Sequence, residues 1–192
     1  MCQLGQSNCY SVLDLRSEYH QLSIKEEDKH KFAFVSSKGL YEFNRLPFGL
    51  TTAPSLFQNA MNNLLKGLPY VSVYIDDVII YSSSFSAHLE HLTEVFKRLQ
   101  HAGLKLKPSK CEFKKESVLY LGHVVTPQGV HPDPDKVDVI KNMKPPETVK
   151  QVPCFLGMVG YYRRHVPNFG EVARPLTLLT RKNVRSEERR VG

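Results

Sequence analysis

The stretch VSVYIDDVIIYS, residues 71–82, sets two adjacent carboxylates, Asp76 and Asp77, between two apolar runs rich in β-branched and aromatic residues. VSVY and VIIY each read as a short strand, because such side chains suit a pleated, half-buried surface. The aspartates then sit at or beside the tip of a hairpin. Taken alone, an Asp-Asp pair in a turn reads as a polar loop tip, since Asp hydrogen-bonds its own backbone there. The chemical alternative starts from repulsion: two like charges side by side are relieved if a divalent cation is shared between them. Hard oxygen ligands that leave room for water and phosphate suit magnesium. Two such ions about 3.5–4 Å apart serve nucleotidyl transfer, activating a 3′-hydroxyl and stabilising pyrophosphate. That chemistry needs another carboxylate from a different strand. Asp14, near the end of the apolar run YSVLDL (10–15), is the candidate, although alone it reads equally as a strand-end or cap residue.

Outward from this stretch, 192 residues suffice for one domain or a compact pair of subdomains with a real core. Hydrophobic residues make up 41%, which argues against disorder. No apolar run approaches the roughly 18 residues that a membrane-spanning helix needs, so no membrane partner is expected. Cys2, Cys9, Cys111 and Cys154 form no C-x-x-C pair, which argues against a zinc site and a disulfide framework and fits a reducing, intracellular compartment. The formal charge of +7 leans toward a polyanionic partner, though it fits a soluble basic surface equally well. Placement says more: Lys105, Lys107, Lys110, Lys114 and Lys115 cluster, and Tyr161, Tyr162, Arg163 and Arg164 form a second basic and aromatic group.

Along the chain, HKFAFVS (30–36) and LYEFNRL (40–46) read as a hairpin around SSKG. The following segment reads as a helix capped by Thr51 or Thr52, with Pro54 in its first turn and Leu56, Phe57, Ala60 and Leu64 on one face. A second helix places Leu89, Leu92, Phe96 and Leu99 together and stops at Gly103. LKLKPSKCEF and SVLYLGHVV read as strands. After the cluster of Pro127, Gly129, Pro132 and Pro134 the texture becomes helical. A capping box from Thr148 to Gln151 opens one of these helices, putting Pro153 about five residues inside it, with a kink. The expected domains are residues 1–126 and 127–184. Residues 185–192, RSEERRVG, read as a sequencing-adaptor scar.

YSVLDLRSEYHQLSI, FNRLPFGLTTAPSLFQNAMN, VYIDDVIIYS, LKLKPSKCEF, YLGHVV and FLGMVGYYRRHVPNF stand in the order found in reverse transcriptases of gypsy-type LTR retrotransposons, which the chain resembles over nearly all of residues 10–180. The resemblance implies an α+β fold, a polymerase palm with an antiparallel sheet packed on helices, followed by a small helical thumb. It implies RNA-directed DNA polymerase activity with two Mg2+ ions, or Mn2+ in their place. An RNA template, a DNA primer, their RNA–DNA hybrid and deoxynucleoside triphosphates are the implied partners. Ribonuclease H and integrase are expected elsewhere in the Pol polyprotein, and a cytoplasmic retroelement particle or the nucleus is the expected location.

Position by position, Asp14, Asp76 and Asp77 resemble the metal ligands, with the backbone carbonyl of Leu15 completing a metal site. Tyr19 resembles the aromatic gate against a ribose 2′-hydroxyl; without the motif it reads as a core aromatic. Phe48 and Gly49 of LPFGL resemble the element beside the incoming nucleotide, Gly49 letting the backbone approach closely. Gln58 would sit near that pocket, or be a solvated helix residue. Lys110 resembles the lysine near the triphosphate that assists pyrophosphate departure, or else is an exposed edge-strand lysine. Leu121, Gly122 and His123 resemble the primer grip. Arg163 and Arg164 resemble duplex-binding thumb residues, or a solvated helix face.

Three departures from that family pattern stand out. The likeness begins almost at Asp14, so the preceding fingers segment is expected to be missing, and a ribonuclease H domain is expected only downstream. Glu18 stands where the group usually has Gly, opposing nucleotide binding unless it points to solvent. Pro153 stands where a helix former is usual. Two competing readings remain: a catalytically inactive remnant that only binds nucleic acid, and a non-templated nucleotidyltransferase or another palm polymerase.

Overall fold

The computed structural model describes residues 7–181, so the segment read as an adaptor scar lies outside the described residues. Contacts divide the chain into two units, one of residues up to 121 with 125–130, the other of 122–124 with the residues from 131 onward.

In the first unit, β1 (Cys9–Asp14) is followed by a hairpin of β2 (Ala33–Ser36) and β3 (Gly39–Glu42). Helix α1 (Ala53–Leu64), the strands β4 (Val71–Tyr74) and β5 (Asp77–Ser82), helix α2 (Phe85–His101) and β6 (Glu112–Lys115) come next. Four strands pair antiparallel in the order β4-β5-β1-β6. Strand alternation sends Leu13, Val78 and Ile80 to one face, where they pack with Phe57 and Met61 of α1 and Leu92, Val95 and Leu99 of α2. Burying each such side chain contributes about 1.5–3 kcal/mol. Tyr10 and Ile79 go to the other face and meet Val118, Tyr120 and Val125. This is the antiparallel sheet packed on helices that the sequence predicts.

The details differ from expectation in instructive ways. The buried stripe of α2 is His88, Leu92, Val95 and Leu99, whereas Leu89 is 50% exposed and Phe96 36% exposed. Hydrophobic periodicity missed this because a histidine occupies an inward position. Its Nε2 lies 2.7 Å from Ser11 Oγ and its Nδ1 2.8 Å from Ser82 Oγ, so the polar ring is fully partnered in the core. Likewise α1 buries Ala53, Phe57 and Met61 rather than Leu56, and its N-cap Thr52 makes no side-chain bond. The β2–β3 hairpin is present, but all of its residues are exposed rather than half-buried, and its first strand begins only at Ala33, after a 3₁₀ turn over Glu26–Phe32. In LKLKPSKCEF, Pro108 opens a 3₁₀ turn and only Glu112–Lys115 is strand, since proline cannot donate to a ladder. SVLYLGHVV breaks into β7 (Val118–Tyr120) and β8 (His123–Thr126) at Leu121 and Gly122, whose φ angles of 48° and 66° turn the chain. With β9 (Gly129–Pro132) these strands form a sheet of order β7-β8-β9.

The His88 network carries a stability prediction. Burial, reinforced by His91, holds the His88 imidazole below its ordinary range. A histidine whose folded value is depressed favours folding while neutral, and the unfolded chain takes up the proton first. Stability should therefore be complete above about pH 6.5 and fall on acidification, by at most about 1.4 kcal/mol per pH unit for this ring. Thermal melts between about pH 7.5 and 5 should show a steeper acid decline for the wild type than for His88→Gln; equal slopes would refute this account.

The second unit is helical: α3 (Pro134–Lys141), α4 (Val152–Tyr161) and α5 (Phe169–Leu179), with α4 packed on α5. Asp133 caps α3, accepting the Asp135 N–H at 3.1 Å. Helix α4 starts at Val152, so Pro153 stands in its first turn rather than five residues inside, where its missing N–H has no helical partner to lose. Gln151 Oε1 accepts the Glu147 and Thr148 N–H groups at 2.8 and 3.1 Å, the second being the glutamine half of the expected Thr148–Gln151 capping box, although the regular helix starts only at Val152. Among the described residues no helix is long and apolar enough to cross a membrane.

Candidate active site

Antiparallel register sets Asp14, the last residue of β1, opposite Asp77, the first of β5. By alternation both carboxylates leave the sheet on the face of Tyr10 and Ile79, away from the helices. Beneath them that face is packed: Tyr120 is buried against Tyr10, Ile79 and Val125, and this burial pushes its hydroxyl up to about 12. Asp76 occupies the two-residue turn between β4 and β5 together with Ile75. Ile75 is at φ 54°, a left-handed conformation that is a true outlier for a β-branched residue. The turn is held from α1. Gln58 Oε1 accepts the Ile75 N–H at 2.6 Å, and its Nε2 donates to the Val73 carbonyl at 3.2 Å and to Asn62 Oδ1 at 2.8 Å. Gln58, expected near the nucleotide pocket, thus has its amide engaged with the hairpin backbone. The positive φ of Ile75 has no signal in the sequence.

Leu15 buries its side chain in the core and forms a single bridge to Leu106. The bonds flanking that bridge use the Arg16 N–H and the Asp14 carbonyl. The Leu15 carbonyl is therefore not consumed by it and points toward the β5 side, where Asp77 begins.

Lys110 Nζ lies 3.1 Å from Asp14 Oδ2, and this contact holds its ammonium above the ordinary lysine range. Burial, then the charges of Asp76 and Asp14, holds the Asp77 carboxyl above the usual carboxylate range, with Lys110 partly offsetting them. Glu18 opens a 3₁₀ turn over Glu18–Gln21 behind Ser17, whose φ is 52°. Its carboxyl does not stand apart: burial first, then the charge of Asp76 and a hydrogen bond to it, with Asp14 adding, raise its affinity for a proton. Four acidic side chains thus share one neighbourhood with one lysine. Among the described residues, no three His, Cys, Asp or Glu side chains are gathered closely enough to hold a metal ion as they stand. The donor chemistry nevertheless fits magnesium: all-oxygen donors, like charges crowded together and a cation already drawn to Asp14.

Beside this cluster, the Tyr19 ring meets Phe48 edge-on at 5.4 Å and Phe57 at 5.7 Å, and His20 meets Phe48 at 4.7 Å. Phe48 remains 56% exposed. Gly49 has φ 90°, a backbone conformation that glycine adopts freely, and no protein atom lies within 4 Å of where a Cβ would stand.

In the second unit, the Gly122 carbonyl accepts the Tyr162 hydroxyl at 3.1 Å and the Asp133 N–H at 3.2 Å. The His123 ring, 8% exposed, lies 5.4 Å from Tyr161, 5.5 Å from Tyr162 and 5.6 Å from His165. Sequence reasoning treated YLGH and YYRR as separate motifs and missed this junction. Arg163 and Arg164 are exposed in a 3₁₀ turn, Arg163–His165, just past α4.

The reverse transcriptase (RNA-dependent DNA polymerase) family model matches residues 1–125. The Retrovirus-related Pol polyprotein from transposon 297 of Drosophila melanogaster is 40% identical over 191 residues, covering 98% of this chain and 18% of that protein. The corresponding polyprotein from transposon gypsy, of the same organism, is 41% identical over 179 residues, covering 92% of this chain and 17% of that protein. The chain thus spans about a fifth of the length of these relatives. A foamy viral protease-reverse transcriptase in complex with double-stranded DNA superposes with a TM-score of 0.83 at 31% identity, covering 95% of this chain and 33% of that one. The same kind of protein in complex with an RNA/DNA hybrid gives 0.79 at 31% identity, covering 91% and 24%. The chain belongs to the reverse transcriptase (RNA-dependent DNA polymerase) family, of the kind carried by retrotransposon Pol polyproteins.

Proposed function

We propose that this chain is the palm and thumb part of an RNA-directed DNA polymerase that extends a DNA primer on an RNA template with deoxynucleoside triphosphates. The observation that carries this reading is the facing pair Asp14 and Asp77 with Asp76 on the braced turn beside it. Asp14, Asp76, Asp77 and the Leu15 carbonyl are the oxygen donors that would hold Mg2+, or Mn2+. Bound there, such ions promote loss of the primer 3′-hydroxyl proton and neutralise charge on the departing pyrophosphate. The 3′-oxygen attacks the α-phosphorus, one P–O bond forms, and the P–O bond to pyrophosphate breaks. Lys110, whose ammonium meets Asp14 at 3.1 Å, would give the leaving pyrophosphate a proton. Tyr19, wedged against Phe48 and Phe57, would exclude a 2′-hydroxyl, with Phe48 and Gly49 beside the nucleotide. Leu121, Gly122 and His123 would hold the primer end, and Arg163 and Arg164 the duplex backbone. Ribonuclease H and integrase would be partners in the same polyprotein, acting in a cytoplasmic particle or the nucleus. In the full polyprotein, Asp76→Asn should abolish magnesium-dependent primer extension; retained extension would sink the assignment.

One observation favours a second reading, binding without chemistry: the Glu18 carboxyl stands beside Asp76 where added negative charge opposes a triphosphate. If Glu18 restrains an otherwise competent site, Glu18→Gly in the full polyprotein should lower the KM for deoxynucleotides about tenfold, the equivalent of about 1.4 kcal/mol. No extension from either protein would favour the inactive remnant.

A further inference from the structure

Among the described residues, one buried side-chain oxygen has no hydrogen-bond partner, the hydroxyl of Tyr120 on β7. Tyr120 is 4% exposed and packs with Tyr10, Ile79, Val118 and Val125 on the sheet face opposite the helices. Strand alternation puts Asp77, Ile79 and Tyr81 of β5 on that same face, and register sets Ser72 of β4 opposite Ile79. The ring packed on Ile79 thus has Asp77 to one side along β5 and Tyr81 to the other, and both act on its hydroxyl electrostatically. Ser72 is near enough to offset the effect of burial in part, but it does not meet hydrogen-bond geometry.

A buried hydroxyl without a partner is a cost that phenylalanine, of the same shape, would not carry. Asp77 shows the complementary lack. Its carboxylate, when ionised, only accepts, with about four lone-pair sites on its two oxygens. The charges of Asp76 and Asp14 crowd it, and Lys110 offsets them in part. Burial keeps the Tyr120 phenol protonated at neutral pH, so it is a donor that brings no charge of its own. A hydrogen bond to an ionised acceptor is the stronger kind, and more so where water is excluded. A donor without an acceptor and a carboxylate short of donors therefore share one face of the sheet.

We propose that Tyr120 is a positioning residue for the carboxylate site, its hydroxyl donating to Asp77, directly or through one bridging water, and so fixing that carboxylate for cation binding. The inference deepens the polymerase reading, on which the role of Asp77 rests. In this role Tyr120 touches neither primer nor nucleotide. It acts through Asp77, as the outer partners of metal-binding carboxylates do.

Thermal melts of the full 192-residue chain against Mg2+ concentration supply the first readout. Tyr120→Phe keeps the shape, so without Mg2+ the variant should melt at or above the wild-type temperature, while half-saturation should need about tenfold more Mg2+. In the Asp77→Asn background the same substitution should leave the Mg2+ requirement unchanged, because the charged partner is gone. In the full polyprotein, kcat for primer extension should fall about tenfold, with the KM for deoxynucleotides and the Kd for primer duplex unchanged. An equal Mg2+ requirement in wild type and Tyr120→Phe, or a loss of the same size in both backgrounds, would overturn the proposal and leave the residue as core packing. A raised Kd for primer duplex at an unchanged Mg2+ requirement would also overturn it, assigning the ring to the primer. Coupling of Tyr120 and Asp77 in the Mg2+ melts, without extension by the wild-type polyprotein, would refute the polymerase reading and uphold this inference. No effect of Mg2+ on the wild-type melt would overturn both.

Discussion

Replacing Asp77 by asparagine should raise the melting temperature of this chain while lowering primer extension in the full polyprotein about a thousandfold or more. The two effects share one cause. Asp77 faces Asp14 across the ladder, with Asp76 beside it in the turn, and burial plus these charges hold its carboxyl above the usual range. A carboxyl whose folded value is raised contributes stability that is fully present below its unfolded value of about 3.9 and is lost as pH rises through the folded one. At neutral pH its charge is therefore a standing penalty to the fold, which the proposed Mg2+ would relieve. Asparagine keeps the shape and removes the charge. Each kcal/mol recovered should raise the melting temperature by about 2–4 °C in a chain of this size. Magnesium should stabilise the wild type by binding the folded state alone, and that increment should shrink in the variant. Melting curves of both proteins with and without magnesium check the account. A variant that melts below the wild type would mean that the charge is satisfied in the fold, and undiminished extension would remove Asp77 from the chemistry.

Strands, helices and the paired carboxylates were legible in the sequence because they rest on local rules: β-branched runs around Asp76 and Asp77, helical spacing around Phe57 and Leu92, and a family-wide series of motifs. What escaped reading depends on tertiary partners. The inward turn of His88 is permitted only by Ser11 and Ser82, which lie 77 and 6 residues away in the chain. The kink predicted at Pro153 assumed that the helix began at Thr148, whereas the regular helix begins at Val152, and the Thr148–Gln151 stretch, which the sequence reads as its first turn, precedes it as a turn. Glu18 was recognisable as an odd residue, but whether its carboxyl faces Asp76 or solvent depends on the left-handed Ser17 before it. Gln58 shows the same limit: the family resemblance put it near the nucleotide pocket, the residue alone read equally as a solvated helix position, and only the structure engages its amide with the turn.

That engagement leads to the second large effect, in Gln58→Ala. Ile75 in the left-handed region costs about 1–2 kcal/mol, and the turn keeps this conformation because α1 reaches across to it. Removing the glutamine amide takes the acceptor from the Ile75 N–H and the donor from the Val73 carbonyl. A backbone group left without its partner in a part-buried place costs about 1–3 kcal/mol. Gln58→Ala should therefore lower the melting temperature by several degrees, at about 2–4 °C per kcal/mol. Because Asp76 rides on the same turn, kcat should fall at least about tenfold while the KM for deoxynucleotides changes little, the pattern of a positioning residue. A direct nucleotide contact would instead raise KM. The decisive variant is Ile75→Gly, since glycine adopts the turn conformation without strain. In the Gln58→Ala background it should restore part of the lost stability, so the combined loss falls short of the sum of the two. Strictly additive losses would show that the turn does not depend on the glutamine, and a raised KM with unchanged kcat would return Gln58 to the nucleotide pocket.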